Sequence, residues 1–131
     1  MYLLDTNICI FIKNKKQPQV LNRLHIAIQN EIYISSISVA EMEYGIYNSE
    51  DIEQNNLALI EFLAPFHILN FDDNDAVEFG KIRAKLKKEG KIIGPYDMLI
   101  AAQSLAKDLI LVTNNTKEFD RIEGIRLEDW K

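Results

Sequence analysis

The sequence predicts a single α/β domain, residues 1–131, with a short, mostly parallel sheet of four or five strands and helices on both faces. Three observations predict it. Short apolar runs alternate with longer amphipathic ones along the whole chain, which is how strand–helix–strand units read. The 131 residues, 47% hydrophobic and 27% charged, suffice for one core and have an ordinary globular balance. No repeat, low-complexity tract or linker divides them.

Residues 2–4 form a short strand that ends at Asp5. Thr6 or Asn7 caps a short helix reaching Phe11, with Cys9 in the core. A second helix spans residues 18–28, its apolar face built from Val20, Leu21, Leu24 and Ile28 at helical spacing. Residues 32–35 are a strand. Ser38 opens a helix that runs to about residue 47. The next helix, residues 51–63, turns Leu57, Ile60 and Leu63 inward and stops before Pro65. A strand at 66–71 leads into a long helix at 73–88, closed by Gly90. Gly94-Pro95 starts a helix reaching residue 107. A strand at 109–112, a polar turn at 113–116 and an edge strand at 125–127 complete the chain, with Trp130 packing near its end.

Net charge is −5, from 15 Lys and Arg against 20 Asp and Glu. That balance opposes nucleic-acid binding, which rests on neutralising phosphates. One cysteine excludes an internal disulfide. The N-terminal apolar run, interrupted by Asp5 and Asn7, does not read as a signal peptide, and no stretch is long enough to span a bilayer. The expectation is a cytoplasmic protein without membrane contact.

In a parallel sheet the functional crevice lies beyond the carboxyl ends of the strands. Asp5 follows the first strand, Glu41 lies in the helix after the second, Asp97 opens the helix after Gly94-Pro95, and Asn115 and Glu118 follow the 109–112 strand. All fall at one edge. Gathered carboxylates share protons or hold a cation, and oxygen-only ligands select hard divalent ions, magnesium or manganese. Such an ion turns an acidic pocket into a phosphate site. Lys81, Arg83, Lys85, Lys87, Lys88 and Lys91 form a basic stretch leading to Asp97, and Lys13, Lys15 and Lys16 form another; each could track an RNA backbone or be a solvated face.

Every acid also has a plain structural use. Asp5 can cap the helix that follows it. Ser38-x-x-Glu41 has the form of a capping box. Asp97 complements a helix dipole. Glu43 competes with Glu41, but two positions on a helix are roughly 200° apart, so only one faces the crevice. His25 and His67 have no evident partner and receive no catalytic role.

The segments LLDTN (3–7), SVAEMEYG (38–45), GPYDMLIAAQ (94–103), VTNNTKEF (112–119) and IRLEDW (125–130) occur in the order found in VapC-type toxins. Across nearly its whole length the chain resembles this group of the PIN-domain superfamily. The resemblance implies a three-layer α/β/α PIN-like domain. It implies a magnesium- or manganese-dependent endoribonuclease leaving a 3′ hydroxyl and a 5′ phosphate, with tRNA a recurring target. It also implies a cognate VapB-type antitoxin, a homodimer and toxin–antitoxin hetero-oligomers. By motif, Asp5 and Asp97 are metal ligands, and Glu41 binds metal or orients the attacking water. Asn7, Thr113 and Asn115 are supporting polar groups. Many PIN domains carry an aspartate where this chain has Asn115, and Glu118 is the nearby acid; the loss of one charge implies a single firmly held ion.

Three rivals stand beside this reading. A phospho-acceptor receiver domain would use Asp72 and Thr113, although it would need an acidic pair after the first strand, where Asp5 stands alone. A catalytically inactive PIN interaction domain would not need Asp5, Glu41 and Asp97 together. An aspartyl-nucleophile phosphatase would want a second aspartate where Asn7 stands.

Overall fold

The structure, a computed structural model, describes residues 1–130. Five strands, β1 (Tyr2–Leu4), β2 (Ile32–Ser35), β3 (His67–Leu69), β4 (Ile110–Val112) and β5 (Leu127–Glu128), pair in the order β3-β2-β1-β4-β5. Every pairing is parallel. Helices α1 (Thr6–Asn14), α2 (Pro18–Ala27), α3 (Ser36–Tyr47), α4 (Ile52–Leu63), α5 (Asp73–Glu89), α6 (Pro95–Ala106) and the short α7 (Thr116–Phe119) connect them.

The strand side chains alternate between two cores, as the period of two requires. Leu4 and Val112 face one core with Ile8, Cys9, Val20, Met42 and Ile46 from α1, α2 and α3. Leu3 and Leu111 face the other with Ile82, Leu86, Met98 and Ala101 from α5 and α6. This is the three-layer α/β/α arrangement. Trp130 is buried in the first core, edge-on to Tyr2 with ring centroids 5.3 Å apart.

The order 3-2-1-4-5 reverses direction at β1, which makes β1 the topological switch point. A receiver domain has the order 2-1-3-4-5, so the topology excludes that rival. Asp72 has another use here. It caps α5 by accepting from the Asp75 N–H, while Asp75 accepts from the Asp72 N–H, a reciprocal capping box. Lys107 Nζ lies 2.6 Å from Asp72 Oδ2 and 3.0 Å from the fully buried Asp75. The bond from Lys107 holds the Asp72 carboxyl below its ordinary value.

Several local expectations need correction. Asp5, not Thr6 or Asn7, caps α1, and α1 extends to Asn14. Ser35 caps α3 by accepting from the Ile37 N–H, so Ser38 lies inside the helix and Ser38-x-x-Glu41 is no capping box. In α4 Leu59 is buried and Leu63 packs against the core as expected, while Leu57 and Ile60 are each 58% exposed. That helix carries apolar residues on two sides, and the spacing from Leu57 placed two of the three on the wrong one. The short α7 stands directly after the expected polar turn. Among the described residues no helix is long and apolar enough to cross a membrane.

Candidate active site

The backbone builds this site from the switch point outward. Asp5 follows β1 directly and is only 4% exposed. Its N–H donates to the Val112 carbonyl of β4, which fixes it between the two halves of the sheet. Its Oδ1 accepts from the Ile8 N–H at 2.8 Å. The capping and site readings of Asp5 are thus compatible: one oxygen holds the helix. Thr113, fully buried after β4, hydrogen-bonds the Asp5 carboxylate, and its hydroxyl also accepts from the Asn115 N–H at 3.0 Å.

Burial dominates the electrostatics of Asp5. Desolvation, helped by the charges of Asp97 and Glu41, pushes its carboxyl from the ordinary 3.8 to about 6, against the lowering effects of Thr113 and Ile8. The Asp97 carboxyl is raised as well, first by desolvation and then by Glu118 and Glu41. These effects link four acids from different segments: Asp5 feels Asp97 and Glu41, and Asp97 feels Glu118 and Glu41. Glu43 is not among the causes for either aspartate. None of the four enters the ion pairs of the described residues, which all lie elsewhere.

Secondary structure explains each placement. Asp97 sits in the first turn of α6, behind Gly94 and Pro95 at the helix start. A Cβ on Gly94 would lie 3.7 Å from Asp97 Oδ2, an ordinary van der Waals distance, which places the helix start directly beside that carboxylate. Glu41 Oε1 accepts from the Thr6 hydroxyl at 2.8 Å, and Thr6 is also 2.8 Å from the buried Ser38 hydroxyl. Thr6 has one proton and gives it to Glu41, so Ser38 donates to Thr6. Asn115 does not stand in for a carboxylate on its own. Its side-chain amide donates to Glu118 across the first turn of α7, so the two act together. Asn7 is exposed and lines the groove beside Glu41, with Lys13 and Asn14.

Thr6 is the residue that sequence reasoning missed, having been read only as a cap. A hydroxyl directly after the strand-ending aspartate, facing the helix that carries Glu41, was the available signal. Within the basic stretch of α5, Lys81 lies 3.7 Å from Glu78 and Lys85 pairs with Glu123, while Arg83, Lys87 and Lys88 enter no ion pair among the described residues. Cys9 is fully buried and its thiol is pushed well up by desolvation, so it has no role as a nucleophile.

The donor set is all oxygen, which suits a hard divalent cation. Among the described residues, however, no three acidic, histidine or cysteine side chains lie so that together they could hold a metal ion. The arrangement fits an ion held by one or two carboxylates that keeps part of its water shell, as magnesium does.

Fold and edge together define a doubly wound α/β domain with an acidic crevice at its switch point. The PIN domain family pattern matches residues 2–125. The chain is 42% identical over 130 residues to the tRNA(fMet)-specific endonuclease VapC of Shigella flexneri, covering 98% of this chain and 97% of the relative. It is 43% identical to ribonuclease VapC2 of Rickettsia felis over 131 residues, covering 99% and 98%. It superposes on the solved VapBC2 complex of Rickettsia felis bound to a promoter DNA fragment with a TM-score of 0.93 at 40% identity, covering 99% of this chain and 98% of that one. The DNA-bound VapBC structure from Salmonella typhimurium gives the same TM-score at 38% identity over the same shares. The chain belongs to the PIN-domain family, and within it to the VapC-type toxins.

Proposed function

We propose that this protein is the endoribonuclease toxin of a toxin–antitoxin system, hydrolysing RNA phosphodiester bonds, with tRNA as the substrate class. The observation that supports it most is that Asp5 at the switch point feels the charges of Asp97 and Glu41, and Asp97 those of Glu118 and Glu41, with no ion pair to any of the four among the described residues. Its relatives' names, a tRNA endonuclease and a ribonuclease, point the same way.

Asp5 and Asp97 would hold a magnesium or manganese ion, with Glu41 at its edge. Such an ion lowers the pKa of a water, orients it for in-line attack and neutralises charge on the leaving oxygen. The chain's own residues do the rest. Thr113 and the Ile8 N–H hold Asp5 in a fixed pose. Thr6 holds one oxygen of Glu41. The other, which makes no hydrogen bond among the described residues, is available to take the proton of the attacking water or to orient it. Asn115 steadies Glu118 beside Asp97. The products would carry a 3′ hydroxyl and a 5′ phosphate.

The protein's partners in this reading are a VapB-type antitoxin, which fits the VapBC complexes that its fold matches, and a second copy of itself. Incubating the purified chain with bulk tRNA tests the activity. Discrete fragments with magnesium, and none with chelator, are expected; fragments that persist in chelator would contradict the ion's role.

A further inference from the structure

Glu41 lines two grooves. One, about 330 Å³, contains Thr6, Asn7 and Lys13. The other, about 390 Å³, is formed by Ala40, Glu41, Tyr44 and Tyr96, a size within the roughly 300–1,000 Å³ of small-ligand sites. Both tyrosines are tied to the acidic set. Tyr44 lies three residues after Glu41 in α3, on the same helical face, and Tyr96 directly precedes Asp97 in α6. Tyr44 is 71% exposed and Tyr96 58%. Among the described residues neither ring stacks on another aromatic ring. One exposed tyrosine needs no explanation. Two that wall one groove, each beside a carboxylate of the site, do.

We propose that Tyr44 and Tyr96 form a stacking site for an unstacked nucleobase of the RNA, next to the phosphate that is cut. This rests on the ribonuclease reading given above. RNA is recognised by sequence mostly in loops and ends, where splayed bases stack on aromatic side chains. Stacking also bears on the charge problem: with a net charge of −5, aromatic faces add base contacts that need no cation, beside any phosphate contact made by Lys13 in the neighbouring groove. The groove's continuity with the site favours RNA over a protein occupant: Glu41 is one of its walls, so a strand whose base lies between the rings has its backbone at the carboxylates.

Single-stranded RNA dodecamers carrying 2-aminopurine at a central position, mixed with the full-length Asp5→Asn protein to prevent cutting, provide the test. The parent is expected to bind and to quench the fluorescence. Adding Tyr44→Ala or Tyr96→Ala should weaken binding about 10-fold or more and remove the quenching, while Phe at either position preserves both. Unchanged emission with the parent, or equal binding by the alanine variants, overturns the site. So does a result in which the alanine variants keep their RNA affinity but lose dimer mass or antitoxin binding, which would make this face a protein interface. Wild-type cleavage of bulk tRNA is measured alongside. Its absence fells the ribonuclease reading, whereas intact cleavage without quenching fells only the stacking site.

Discussion

The Thr6 hydroxyl donates to Glu41 Oε1 at 2.8 Å, joining the first turn of α1 to the middle of α3 across the crevice. Ser38 stands behind Thr6, so Glu41 is held by a two-hydroxyl relay rather than by a helix cap. Thr6→Val keeps the shape and removes the donor. Cleavage should fall about 10-fold, in line with a hydrogen bond to a charged group of roughly 1.5 kcal/mol. Thr6→Ser should retain most of the activity. Equal loss in the two variants would assign Thr6 to packing.

Asp5 should cost stability at neutral pH when no cation is bound. Its carboxyl titrates at about 6 in the folded chain against an ordinary 3.8. The folded state therefore binds the proton more tightly, and stability falls as pH rises through that window. The full cost, about 3 kcal/mol, is present above pH 6 and absent below pH 4. Asp5→Asn keeps an acceptor for the Ile8 N–H and should raise the melting temperature at pH 8 in chelator but not at pH 4. Asp5→Ala also loses the helix cap, worth about 1 kcal/mol, so it should gain less. Denaturation curves at the two pH values decide; an Asp5→Asn protein less stable at pH 8 would refute the desolvation account.

Glu41 and Glu43 should separate cleanly. Glu41 bonds Thr6 and affects both aspartates, and Glu43 does neither. Glu43→Ala should retain far more cleavage than Glu41→Ala, and the reverse order would reassign the role.

Calorimetric titration of the RNA-free protein with magnesium or manganese should show one firmly bound ion. Asn115 brings an amide where a further charge would help a second ion, and its amide is spent on Glu118. Two tight ions would contradict this.

Outside the site, Lys107→Met should destabilise the fold by about 1–3 kcal/mol, because it leaves the buried Asp75 carboxylate without its cation. Urea unfolding at pH 7 measures it; no change would mean that the Asp72 N–H alone satisfies Asp75.

The alternation of strands with the six longer helices followed from punctuation that sequence carries plainly: Asp5 after an apolar run, Gly90 closing α5, Pro95 opening α6. The placement of the acids at one edge followed from the parallel topology. What the sequence left ambiguous was local competition. Ser35 and Ser38 both suit a helix start, and only the length of β2 decides that Ser35 caps and Ser38 turns to Thr6. Leu57 and Leu59 both suit a buried stripe, and only the packing of α4 on α3 picks Leu59. Asn115 was read by its residue type, while its bond to Glu118 depends on α7, a single turn too short for periodicity to reveal.

The central claim is that the carboxylate at the switch point carries the chemistry. The most direct test compares wild type with Asp5→Asn on bulk tRNA in magnesium, after both are shown to be folded. Discrete cleavage by wild type and none by Asp5→Asn is the predicted result. Cleavage by Asp5→Asn at the wild-type rate would contradict it and move the active site elsewhere in the molecule.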